Sequence, residues 1–199
     1  KRSAFEAYFT ILTILNTDIF YNYEHAFYDS HLMSEFENFT SHYVRFSTKP
    51  FDFLNIRGGF GTGNEIAYRE EIPELGDRFS FNTSVEITLN NNLRIRPSLN
   101  LSRLKKLDFD EYFFDGYIAR FDIRYQFTNS LDLRVISEYN DFSDQFFVQP
   151  LISWRPNADT IFYFGGNQNY VDEFIDYNSP NYRVNKSQLF LKFQYLIKS

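Results

Sequence analysis

Residues 188–198, Gln-Leu-Phe-Leu-Lys-Phe-Gln-Tyr-Leu-Ile-Lys, admit few folds. One parity carries Leu189, Leu191, Phe193, Tyr195 and Ile197. The other carries Gln188, Lys192, Gln194 and Lys198, with Phe190 and Leu196 as apolar exceptions. Successive side chains of a strand point to opposite faces, so the segment predicts a strand with one apolar and one wet face. Taken alone it fits the closing strand of a membrane barrel and a half-buried strand of a soluble sandwich equally well.

The same alternation recurs upstream. Phe79, Phe81, Val85, Ile87 and Leu89, with Thr83, oppose Ser80, Asn82, Ser84, Glu86, Thr88 and Asn90. After Asn90-Asn91-Asn92, the residues Leu93, Ile95, Pro97, Leu99 and Leu101 oppose Arg94, Arg96, Ser98, Asn100 and Ser102. A three-residue loop is expected there, with its last position at positive φ, which Asn tolerates; it sets Glu86 opposite Arg96. Tyr117, Ala119, Phe121, Ile123, Tyr125 and Phe127 oppose Arg120, Asp122, Arg124, Gln126 and Thr128. Across 128–130, Leu131, Leu133, Val135 and Tyr139 oppose Asp132, Arg134, Glu138 and Asn140. A simple turn here pairs Arg120 with Glu138 but also Arg124 with Arg134, so a bulge or Asp122 as a third partner is expected to relieve the like charges. Further strands are expected at 5–15 and 18–27, at 42–48 and 51–60 around a Lys49-Pro50 turn, and at 146–154 and 160–170.

This makes about eleven strands. Tight turns fall near 16, 50, 91, 129 and 156, and longer segments at 29–41, 61–77, 103–115 and 171–187, with a short 141–145 link on the long side. Short turns on one rim and long loops on the other predict an all-β fold, a transmembrane antiparallel up-and-down β-barrel in a bacterial outer membrane. The short turns are then periplasmic and the long loops extracellular. Composition agrees: aromatics reach 21%, with 25 Phe and 15 Tyr, yet mean hydropathy is only −0.42. Strands that give half their residues to lipid and half to a wet interior produce that combination. No run approaches the roughly 18 apolar residues of a spanning helix. The absence of cysteine excludes thiol chemistry, and a net charge of −6 argues against a nucleic-acid partner. Bacterial single-chain barrels have even strand numbers. The odd count, with a chain that opens Lys-Arg-Ser, leads to the expectation that 1–199 is a single domain forming the C-terminal part of a larger barrel.

Turning the aromatic face outward points Glu86, Arg94, Arg96, Arg120, Asp122, Arg124, Arg134 and Glu138 inward. Burying so many charges in a dry core costs more than pairing returns, so they are expected to line a wet or plugged lumen as a charge ladder. A soluble sandwich with charged faces outward is the alternative.

Residues 120–127 (Arg-Phe-Asp-Ile-Arg-Tyr-Gln-Phe), 131–139, 156–163 (Pro-Asn-Ala-Asp-Thr-Ile-Phe-Tyr) and 189–196 (Leu-Phe-Leu-Lys-Phe-Gln-Tyr-Leu) carry a family likeness. Together they resemble the C-terminal barrel of Bacteroidota proteins with an N-terminal family-9-like carbohydrate-binding domain. The resemblance covers roughly 90–199. It implies an outer-membrane location, a large barrel and a binding domain upstream, and it transfers no catalytic residue. The final Lys198-Ser199 departs from the terminal aromatic common in such barrels; Tyr195 is the expected substitute.

Candidate sites are few. The spacing of His25, His31 and His42 matches no zinc motif. The run Gly58-Gly59-Phe60-Gly61-Thr62-Gly63 lacks the Lys-Ser/Thr and the helix of a phosphate loop, and is expected to be a rim bulge or loop. Two acidic sets, Asp108, Asp110 and Glu111, and Asp172, Glu173 and Asp176, have the oxygen ligands that Ca²⁺ takes, though acidic surface loops usually bind nothing specific. The aromatic loop residues Tyr112, Phe113, Phe114, Phe174, Tyr177 and Tyr182 suit either sugar stacking or a membrane-interface girdle. No nucleophile and base assemble into a catalytic set, and no cofactor or metal is expected. The functional expectation is a channel, or the membrane anchor of a cell-surface complex, with the lipid bilayer and other outer-membrane or surface proteins as partners. The alternative is a surface glycan-binding protein.

Overall fold

A computed structural model of the chain describes residues 2–13, 16–31, 34–90, 92–172 and 182–196. Alternating side chains and β-branched or aromatic residues make the chain extended almost throughout. The strands are β1 (Arg2–Thr13), β2 (Thr17–His31), β3 (Ser34–Phe51), β4 (Leu54–Ala67), β5 (Glu74–Leu89), β6 (Leu93–Lys106), β7 (Tyr112–Thr128), β8 (Leu131–Asn140), β9 (Gln145–Asn157), β10 (Thr160–Asp172) and β11 (Tyr182–Tyr195). They form one up-and-down sheet in sequence order, antiparallel in the registers of β1 through β4 and of β7 through β11. No helix occurs among the described residues. The sheet is open there: β1 and β11 are its outer strands and do not pair with each other.

Several segments expected as loops are strand. Residues 28–31 and 34–41 extend β2 and β3, leaving only 32–33 between them. The 61–77 segment shrinks to 68–73, and 103–115 to 107–111. The expected Lys49-Pro50 turn lies inside β3, and the chain reverses at Asp52-Phe53 with Phe51 opposite Leu54. Pro50 is accommodated because the ladder shifts register between Thr48 and Phe51, where a missing N–H donor costs little. The loop 90–92 has the expected three residues, but positive φ falls on its first, Asn90 (φ 50°), rather than its last. The β7–β8 turn is two residues, not three, with a register shift between Gln126 and Thr128 that preserves the expected pairs. The closing strand starts earlier than 188 and ends at Tyr195; residues 197–198 lie outside the described residues.

The chain divides into two compact units: Lys1–Ser84 with Leu99–Tyr117, and Val85–Ser98 with Ile118–Ser199. In the second unit one parity is apolar from strand to strand. Ile123 faces Val135, Tyr125 faces Leu133 and Leu133 faces Ile152. Trp154 faces Phe162, and Phe162 and Phe164 face Phe193 and Leu191. Rings run along this face, with Trp154 and Phe162 centroids 5.3 Å apart and Phe162 and Phe193 5.1 Å apart. The face is uncovered: Leu189 is 79% exposed and Leu191 76%. The charged parity is the sheltered one, where Asp122, Ile136 and Ser153 are buried.

The first unit repeats the scheme. Ile11, Ile19 and Phe46 align across β1, β2 and β3, and Tyr21, Val44 and Phe60 across β2, β3 and β4. Its buried cluster, Ala26, Phe39 and Ile66 with Phe36 and Leu75 against it, lies toward the rim away from the 52–53 turn.

Candidate functional site

The charge ladder forms in the second unit because the β-pleat puts even-numbered residues of these strands on one face. Arg96 donates from Nε (3.0 Å) and Nη2 (2.7 Å) to a single oxygen of Glu86, Oε2. The other carboxylate oxygen lies 3.9 Å from Arg94 Nε, so Glu86 serves two arginines. Arg120 stands opposite Glu138 in the register and reaches it at 3.3 Å. Arg124 stands opposite Arg134, the expected repulsive pair. Only the second expected remedy acts: Arg124 Nε lies 3.4 Å from Asp122 Oδ1, whereas the register shift falls beyond Gln126 and leaves the two arginines opposite. Asn92 ties the start of β6 to the end of β7. Its carbonyl accepts from Gln126 N at 2.8 Å, and its Nδ2 donates to the Gln126 carbonyl at 3.1 Å. The even residues of β6 and β7 therefore share a face, and the two groups of charges belong to one band.

Sequence reasoning missed two members of this band. Arg155 Nη1 lies 3.5 Å from Asp132 Oδ1, and Ile136 holds the place of a charge on the sheltered parity at 2% exposure. Ile136 faces Asp122, so the ladder has an apolar rung beside its most buried carboxylate.

The glycine run is neither bulge nor loop. Gly58, Gly59 and Gly61 sit in β4 in unbroken register with Phe46, Arg45 and Tyr43 of β3. They provide space for rings. A Cβ at Gly58 would come within 2.5 Å of Phe46 Cε1 on one face. On the other face, a Cβ at Gly59 would meet the Tyr43 hydroxyl, and one at Gly61 would lie 3.2 Å from Tyr43 Cδ2. Tyr43 thus lies across the β4 backbone, and its hydroxyl accepts from Asn82 Nδ2 of β5 at 3.3 Å. The alternate glycines 59 and 61 were the available signal for a crossing ring.

The aromatic candidates do not gather into one platform. Tyr112, Phe113 and Phe114 open β7 rather than forming a loop, so Phe113 points away from the other two. Arg103 lies over Tyr112 (5.7 Å), and Lys106 over Phe113 (5.5 Å). Arg103 also covers Phe79 and pairs with Asp115 at 3.2 Å, the mixture of ring and cation that suits a membrane interface. Tyr182 begins β11 and is 45% exposed; Phe174 and Tyr177 lie outside the described residues.

The acids of the 107–111 loop face lysines instead of one another. Lys105 Nζ is 2.7 Å from Asp110, and Lys106 Nζ is 3.2 Å from Glu111. The hydrogen bond from Lys105, then its charge, holds the Asp110 carboxyl below the usual carboxylate range. No group of three metal-capable side chains forms among the described residues, and Glu173 and Asp176 lie outside them. His42 Nδ1 is 2.8 Å from the Tyr21 hydroxyl, and His25 meets Phe27 edge-on at 4.6 Å; the His31 side chain is outside the described residues. Comparison of the chain with family models, with curated proteins and with solved structures gives no match.

Proposed function

We propose that the chain forms the wall of an outer-membrane β-barrel, with its aromatic face in lipid and its charge ladder on a wet lumen. It then acts as a channel or as the membrane anchor of a surface complex. One observation carries this reading: in the second unit the apolar parity is uncovered, while the charged parity holds the buried Asp122, Ile136 and Ser153 and pairs most of its charges. A water-soluble sandwich places its faces the other way, and exposed apolar patches of this extent mark a non-aqueous neighbour. Connections at 52–53, 90–92, 129–130 and 158–159 are tighter than those at 68–73, 107–111 and 141–144, with 32–33 the exception on the second rim, which supports short periplasmic turns and longer external loops.

Open strand edges are not tolerated in hydrocarbon. In an up-and-down order of eleven, β1 and β11 run the same way, so antiparallel closure takes an odd number of further strands. This supports a larger barrel of the kind in the Bacteroidota proteins that residues 90–199 resemble. The deciding experiment is electrophoretic mobility of detergent-extracted protein with and without boiling. The expected result is an SDS-resistant form that shifts on heating. A protein soluble in plain buffer with no shift would overturn the reading.

A further inference from the structure

On the sheltered side of the first unit, Tyr43, Arg78, Ser80, Asn82 and Asn100 surround an open hollow of about 380 Å³, near the small end of the range for ligand sites. Three strands build it. Tyr43 comes from β3 and is laid across β4 by the missing side chains of Gly59 and Gly61. Ser80 and Asn82 come from β5 and Asn100 from β6.

We propose that this hollow is a binding subsite for a neutral sugar ring. Its polar groups are mainly hydroxyl and carboxamide, which both donate and accept, as sugar hydroxyls do, and Phe81 and Leu101 complete the lining. Asn82 spends its Nδ2 on Tyr43, which leaves its Oδ1 available as an acceptor. The Asn100 amide has no hydrogen-bond partner among the described residues and opens to solvent. The only charge in the wall is already neutralised: Arg78 Nε pairs with Glu65 at 3.2 Å, and its Nη2 donates to Ser80 Oγ at 3.4 Å. A site without spare charge has little to offer a phosphate or an ammonium group. The Tyr43 ring supplies the apolar surface that a sugar's C–H face needs, and the β4 backbone beneath limits its tilting.

The subsite rests on the wet inner face proposed above, not on conductance. The test titrates maltose, cellobiose and N,N′-diacetylchitobiose into detergent-extracted protein by calorimetry, beside the boiling shift on the same sample. The expected result is saturable binding of at least one disaccharide. Asn100→Ala and Asn82→Ala should each weaken it about five- to tenfold, the worth of one hydrogen bond, with the boiling shift unchanged. A heat-shifting protein that binds none of the three overturns the subsite and leaves the barrel standing. Binding that survives both substitutions at full strength overturns it too. Absence of the shift counts against the barrel alone, because the titration is read in either case.

Discussion

Glu86 holds two guanidinium groups with a side chain that is about one-third exposed. Water screens such a pair, and exposed ion pairs are worth about 0.2–1 kcal/mol. The two short hydrogen bonds from Arg96 place this one toward the upper end. A double-mutant cycle of Glu86→Ala and Arg96→Ala, read by urea unfolding in lipid vesicles, should return a coupling of roughly 0.5–1 kcal/mol. A coupling near zero would mean the contact is incidental. Backbone conformation sets a sharper limit at Gly63, whose φ of 129° side chains rarely adopt and where a Cβ would run into the Thr40 carbonyl and Ser41 Cα. Gly63→Ala should therefore cost about 1–3 kcal/mol from the backbone alone, more than Gly61→Ala, whose nearest obstacle is the movable Ser80 hydroxyl. Equal losses at the two positions, in the same unfolding experiment, would contradict the backbone argument.

At the level of the strand, β11 alternates in chemistry while both of its parities are exposed. Leu191 is 76% exposed on the apolar parity, and Lys192 stands on the other with its ammonium 5.7 Å from the Tyr163 ring. If the apolar parity meets lipid, Leu191→Arg should cost about 2–4 kcal/mol near the bilayer midplane. Lys192→Gln should then cost well under 1 kcal/mol, since the lumen accepts either residue. The folded fraction after refolding into vesicles, read from the unboiled gel band, checks the contrast. Equal tolerance at both positions would place the apolar parity in water. The strands whose two parities differ this strongly are also those that the sequence makes legible, from Phe79 onward, and the Glu86–Arg96 and Arg120–Glu138 pairs follow from counting across their turns. Legibility fails where both faces meet similar surroundings. Residues 28–31 and 34–41 alternate poorly, yet they are strand because their backbones complete ladders with neighbours. Pro50 reads locally as a turn, and only the register shift beside it lets it stay in β3. The Tyr43 hollow is illegible for another reason: its residues come from three strands, and sequence alone gives no distance between Tyr43 and Asn82.

For the molecule as a whole, if the ladder lines a conducting lumen, it makes a directional demand on any ion that passes. Glu86, Asp122 and Glu138 oppose Arg94, Arg96, Arg120, Arg124 and Arg134, and the added pair of Arg155 with Asp132 cancels. Five arginines against three carboxylates, with Lys186 and Lys192 of β11 on the same face, leave the band cationic, and charged rings of this kind select counter-ions where the path is narrow. A planar bilayer with a tenfold KCl gradient should give a reversal potential displaced toward chloride. The double substitution Arg94→Glu and Arg134→Glu turns the rungs of β5 to β8 from five against three into three against five and, with Lys186 and Lys192 still on that face, should shrink the displacement. Arg134 is the better-placed of the two, because replacing it also removes the repulsion across from Arg124 and is expected to stabilise the fold by a few tenths of a kcal/mol. Cation preference in the unaltered protein, or a potential indifferent to both substitutions, would detach the ladder from any conduction path. A barrel that shifts on boiling but carries no current would assign the same charges to a plugged interior, and the molecule to anchoring.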